Sequence, residues 1–102
     1  MAWTHYIAAF FAGAFLTNMV PHFVNGLSGN KFPTPFAKPP GRGLSSPLVN
    51  VLWALVNLVV GYVLFSVADI SNENIAGVLV LFAGIVFMSL VLSTRAAKKH
   101  RE

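Results

Sequence analysis

The sequence predicts an all-α integral membrane protein with three transmembrane helices and a Pro/Gly-rich cytoplasmic connector. Three observations lead there. Hydrophobic residues make up 56% of the 102-residue chain and charged residues only 10%, against a usual charged share of about 25%. A soluble domain of this size would have to leave much of that apolar surface in water, so lipid is the natural solvent. The apolar residues also gather into three runs of membrane-spanning length, and every Lys and Arg lies outside those runs. At this length the chain forms a single domain.

Other classes are disfavoured by what the chain lacks. It has no cysteine, hence no disulfide framework, thiolate metal site or cysteine nucleophile. The formal charge of +4 flanks apolar spans instead of forming a continuous basic face, so it is assigned to membrane topology and not to nucleic acid.

The first span is expected over about residues 3–24. Twenty-two residues at 1.5 Å each give about 33 Å, enough for a hydrocarbon core of about 30 Å. A cleaved signal peptide would need a basic leading region and a small-residue cleavage site. No Lys or Arg precedes Lys31, so a mature helix is expected, with Trp3 and Tyr6 as interface anchors. Pro21 should kink or loosen its last turn. Asn25-Gly26 is the expected stop, because both residues tolerate a left-handed C-cap.

Residues 25–46 then form the connector. Pro21 to Pro47 holds all six prolines, four of the eight glycines and three of the seven basic residues. The second helix is expected over 47–68. Ser46 suits its N-cap, and Pro47 suits the first helical position, where the missing N–H would be orphaned anyway. Residues 69–74 make a polar turn, with Ser71 or Asn72 as cap of the third helix and Glu73 complementing its dipole. That helix is expected over 75–94, packed with the second as a tight antiparallel hairpin. A basic tail, 95–102, follows.

With three spans, the connector and the tail share one side of the membrane. The connector carries Lys31, Lys38 and Arg42, and the tail carries Arg95, Lys98, Lys99 and Arg101. The positive-inside rule then predicts both on the cytoplasmic side of a bacterial-type inner membrane, with the N-terminus outside.

Several polar and small residues stand out within the spans. Asn18, His22 and Asn25 share one face of the first helix, and polar groups near lipid need partners. His22 suits a proton carrier or an axial ligand for haem or pigment. The structural reading, a histidine hydrogen-bonded within the protein, is preferred, because no second histidine lies at ligand spacing. His5 sits at the opposite end of the helix, and His100 falls in a tail expected to be mobile. Asn50 and Asn57, with Ala54 and Gly61, form a stripe on the second helix. It is either a hydrophilic path or, preferably, a helix contact in which amides bridge at about 1 kcal/mol or less each.

Gly77 and Gly84 repeat that seven-residue spacing on the third helix, beside Ala76 and Ala83. Ala9 and Gly13 form a small-xxx-small pair on the first helix. At 100° per residue that pair projects about 180° from Asn18 and His22. The first helix is therefore expected to have two packing faces, only one of which its own partner helices fill.

In the connector, GRG at 41–43 lacks the spacing of a phosphate loop. The FPTPF and KPP segments favour extended, polyproline-II-like chain. Phe32, Pro33, Pro35 and Phe36 are expected at the interface, while Lys31, Lys38 and Arg42 reach anionic headgroups or a docking partner.

No nucleophile–base pair or carboxylate pair is present, so an enzyme is not expected, nor is a cofactor of its own. The leading expectation is a small accessory or structural subunit of a larger inner-membrane complex, energy-transducing or transport, contacting other subunits or its own copies. The alternatives are a homo-oligomeric transporter or channel lined by Asn50 and Asn57, and a cofactor-binding subunit using His22.

Overall fold

The computed structural model describes residues 2–71 and 74–101, with the side chains of 99–101 outside the description. Expectations for Asn72, Glu73 and the Lys99, His100 and Arg101 side chains therefore lie outside the described residues. Three helices dominate: α1 (Trp3–Leu27), α2 (Pro47–Ala68) and α3 (Ile75–Arg101). Between α1 and α2 the connector pairs β1 (Phe32–Pro33) with β2 (Leu44–Ser45), antiparallel, Phe32 opposite Ser45 and Pro33 opposite Leu44. The molecule measures 43 × 25 × 21 Å, and each helix is long and apolar enough to cross a membrane.

Local chemistry accounts for most helix ends. Ser46 caps α2, its Oγ accepting from the Val49 N–H at 3.2 Å, with Pro47 entering the first turn. The helix ends at Asp69, which takes the left-handed conformation at φ 53°, a geometry aspartate tolerates better than most residues. Asn74 caps α3 in place of Ser71: its Oδ1 accepts from the Gly77 N–H at 3.3 Å. The Ser71 carbonyl instead accepts from the Asn74 N–H, closing the turn. Two helices outrun their expected ends. α1 passes Asn25-Gly26 to Leu27, and α3 runs seven residues past Thr94, to Arg101. Apolar character stops at Arg95, but Ala and Lys are good helix formers and nothing there breaks the ladder.

The packing order differs from the expected hairpin. α1 lies between the other two helices and packs on both, while α2 and α3, although joined by a short turn, are not a packed pair. Both faces of α1 are filled within the chain, not one as expected: the face carrying Gly13 is occupied by α3 and the face carrying Asn18 and His22 by α2. A Cβ on Gly13 would overlap the Leu81 carbonyl, and one on Gly84 would overlap the Phe10 carbonyl. The two glycines thus let the backbones of α1 and α3 cross at close range. Toward α2, Gly61 faces Leu16, whose Cδ2 would lie 2.6 Å from an added Cβ. Gly26 likewise sits against Pro47 and Val51. Gly77 is buried near the start of α3.

The distribution of side chains is inverted relative to a water-soluble bundle. Among the described residues every buried apolar side chain is alanine: Ala8, Ala9, Ala12, Ala14, Ala37, Ala54 and Ala68. The largest fully buried side chains are Asn50, Asn57 and Thr34, while Leu48, Val59, Leu90 and many other large apolar residues face outward. Ala9 and Ala68 pack together with Ala8 at the turn end, flanked by Leu64, Ile70 and Val80.

Candidate functional site

The polar residues collect at the opposite end, where the connector folds back over the helices. Asn50 is its centre. Fully buried, it sits in the first turn of α2, facing both α1 and the loop. Its Nδ2 donates to the carbonyls of Phe32 (2.9 Å), Ser45 (3.2 Å) and Ser46 (3.0 Å). One amide thus holds both strands of the connector and the start of α2. With Nδ2 so committed, Oδ1 turns to His22 Nδ1, 2.8 Å away. An amide oxygen can only accept, so Nδ1 carries the proton and the lone pair of His22 lies on Nε2. The His22 ring, itself buried, meets Phe32 edge-on with centroids 5.3 Å apart.

Asn18 and Asn57 form a second bridge, about one turn from His22 along α1 and about two turns from Asn50 along α2. Asn18 Nδ2 donates to Asn57 Oδ1 at 3.0 Å, and Asn57 Nδ2 to its own helix at the Trp53 carbonyl. Asn57 is fully buried. Both amides of the α2 stripe are therefore turned into α1, with Ala54 buried between them, and neither borders an open channel. Asn25 faces no other helix through its amide: Nδ2 donates back to the Pro21 carbonyl at 2.7 Å. His5, at the far end, accepts from the Ala2 N–H through Nδ1.

The connector is folded, not extended. Thr34 is its hub, 1% exposed although it lies between two prolines. Its carbonyl accepts from the Ala37 and Gly41 N–H groups, and its Oγ1 from the Phe36 N–H. The same hydroxyl meets Ser45 Oγ at 2.5 Å. Gly41, at φ 73°, turns the chain where most side chains would be strained. Phe32 lies inward on His22, contrary to its expected interfacial position. Phe36 is 65% exposed and touches Trp53 edge-on at 5.2 Å. Pro33 is half-buried, while Lys31, Pro35, Lys38 and Arg42 face outward.

Beside this network α1 and α3 diverge, leaving an open cleft of about 1240 Å³ roofed by the connector. His22, Asn18 and Asn25 border it from α1, Ser89 and Arg95 from α3, and Thr34 and Arg42 from the loop. Arg95 reaches the connector, since a Cβ on Gly41 would lie 3.3 Å from its Nη2.

Thr34, Ser45, Ser89 and Trp53 are not among the residues that the sequence singles out, and Arg95 and Lys98 fall in its basic tail. The available signals were the Thr between two prolines, a turn-forming hydroxyl, and the helical spacing that puts Ser89 and Leu92 on one face with Arg95 just past the apolar span. Among the described residues no group of three His, Cys, Asp or Glu side chains could hold a metal ion. No protein-family model, curated protein or solved structure matches this chain.

Proposed function

We propose that the chain is a non-catalytic, multi-pass membrane component that docks a larger inner-membrane complex, energy-transducing or transport, through its folded connector. The observation that carries this reading is the Asn50 network. A fully buried amide that donates to three connector carbonyls gives the loop one shape before any partner arrives. Preorganisation of this kind lowers the ordering cost of association. Among the outward residues Phe36 is an exposed aromatic of the kind that anchors protein interfaces, with Lys31, Pro35 and Lys38 around it as a polar rim.

The membrane part of the proposal is supported by the inverted packing. Alanine and asparagine fill the interior while Leu, Val and Phe cover the outside, the arrangement suited to helices whose solvent is lipid. Five described basic residues, Lys31, Lys38, Arg42, Arg95 and Lys98, belong to the connector end. That grouping supports a cytoplasmic connector and an external N-terminus.

The test is purification of tagged full-length chain from native membranes in mild detergent. A parallel sample would carry a Gly/Ser linker in place of residues 29–43. Wild type is expected to hold a defined companion chain in fixed ratio, and the linker variant to insert with the same topology but lose it. Wild type migrating alone, or a companion retained equally by the linker variant, would reject the docking role. A reporter fused after Glu102 that is active only outside the cytoplasm would reject the orientation.

A further inference from the structure

We propose that the cleft between α1 and α3 is a binding site for one anionic phospholipid, its phosphate held at Arg95, Lys98 and Arg42. The assignment needs the chain to be in a bilayer but needs no protein partner.

Shape is the first argument. The close crossing at Gly13 and Gly84 pins α1 to α3, and from there toward the connector the helices part to leave about 1240 Å³. That volume exceeds the 300–1,000 Å³ typical of small-ligand sites and far exceeds the needs of a free phosphate ion. Apolar side chains run the length of both helical walls, with the polar Asn18 and Ser89 among them. Along the helices from the Gly13–Gly84 crossing, Leu16 and Ile85 come first, Val20 and Leu92 next, and Arg95 and Lys98 last. An acyl chain fits the apolar end and a headgroup the charged end.

Charge is the second argument. Arg95 and Lys98 lie three residues apart on α3 and so share a face, and Arg42 meets them from the connector. Among the described residues no carboxylate borders the cleft. The Arg95 guanidinium lies against Gly41, where any side chain would crowd it. The guanidinium thus reaches over the connector at the mouth of the cleft, on an otherwise exposed residue. Guanidinium and ammonium groups together suit a phosphate diester, the first through its fork geometry and the second as a point charge. On the α1 wall, the His22 Nε2 lone pair is the one imidazole atom not used by Asn50, and it can accept from a glycerol hydroxyl.

The experiment uses the full chain in detergent micelles, titrated with dioleoyl phosphatidylglycerol or dioleoyl phosphatidylcholine, with retained lipid read by native mass spectrometry. One phosphatidylglycerol per chain is expected to survive, with no comparable phosphatidylcholine adduct. Each surface cation contributes about fivefold, so Arg95→Gln with Lys98→Gln should weaken retention about thirtyfold. Lys31→Gln with Lys38→Gln, which removes the same charge away from the cleft, should leave it unchanged. Ser89→Trp keeps every charge and fills the cleft, so it should also lose the lipid while its helical circular dichroism matches wild type. Equal retention of the two lipids overturns the assignment, as does equal loss in both double charge variants or an undiminished adduct in Ser89→Trp. Displacement of the lipid by millimolar inorganic phosphate would overturn it in favour of a soluble anion. In a separate reconstitution, failure of the chain to enter phosphatidylglycerol vesicles would count against the membrane reading instead.

Discussion

The two faces of α1 are built from opposite materials. Toward α2 it presents groups that hydrogen-bond: Asn18 to Asn57, and His22 to Asn50. Toward α3 it presents Gly13 and bare backbone, met by Gly84. The first interface is directional, because an amide pair forms at one register and one rotation only. The second is steric, set by how closely two backbones approach. α2 is therefore fixed in register with α1 and, through Asn50, with the connector. α3 is fixed at one crossing point and free to diverge beyond it, which is where the cleft opens. A polar interface and a glycine interface on one helix thus produce a rigid side and an open side.

The largest expected effect comes from breaking the steric face. Gly84→Leu drives a side chain into the Phe10 carbonyl, and overpacking of this kind costs about 3 kcal/mol. The thermal midpoint in detergent should fall and α3 should detach from α1. A midpoint within a degree of wild type would show that the glycine contact does not hold the helices.

Next in size is Asn50→Ala. It removes three donations to the connector and leaves His22 Nδ1–H without its acceptor, about 1–3 kcal/mol for the unsatisfied buried groups. The connector should loosen, and trypsin should cut after Lys31 and Arg42 faster than in wild type. Unchanged cleavage would mean that the amide does not order the loop. The smallest effect is expected for Asn57→Leu, which loses one interhelical bond worth about 0.6 kcal/mol. Its stability should fall only slightly and its connector should stay protected. A loss as large as that of Asn50→Ala would erase the distinction between the two amides.

How much of this was legible depended on whether a signal was local. Ser46-Pro47 starts α2 through capping chemistry contained in two residues, and the three spans follow from composition. The Asn50/Asn57 stripe is visible as periodicity. Which helices pack is not local. Short connections usually join neighbours, so the six-residue turn pointed to an α2–α3 pair. The competing signal was present in α1, where small residues and polar residues project to opposite sides. Two packing faces suit an outside partner, but they are also what a central helix requires. The connector hid its pairing because Pro33 lies in β1 and proline argues against a strand except at an edge. The hub at Thr34 depends on a contact to Ser45, eleven residues away, which no local pattern reveals.

The central position of α1 is open to a direct test, because the chain has no cysteine of its own. Phe87 on α3 lies 5.7 Å, ring to ring, from Phe10 on α1. Val56 on α2 stands as many residues before Ala68 as Phe87 stands after Ile75, so a tight α2–α3 hairpin would bring those two to the same level. Phe87→Cys would be combined in turn with Phe10→Cys and with Val56→Cys, then oxidised in membranes. Efficient cross-linking to position 10 and little to position 56 is the predicted result. Efficient cross-linking to 56 and none to 10 would place α2 against α3 and contradict the account.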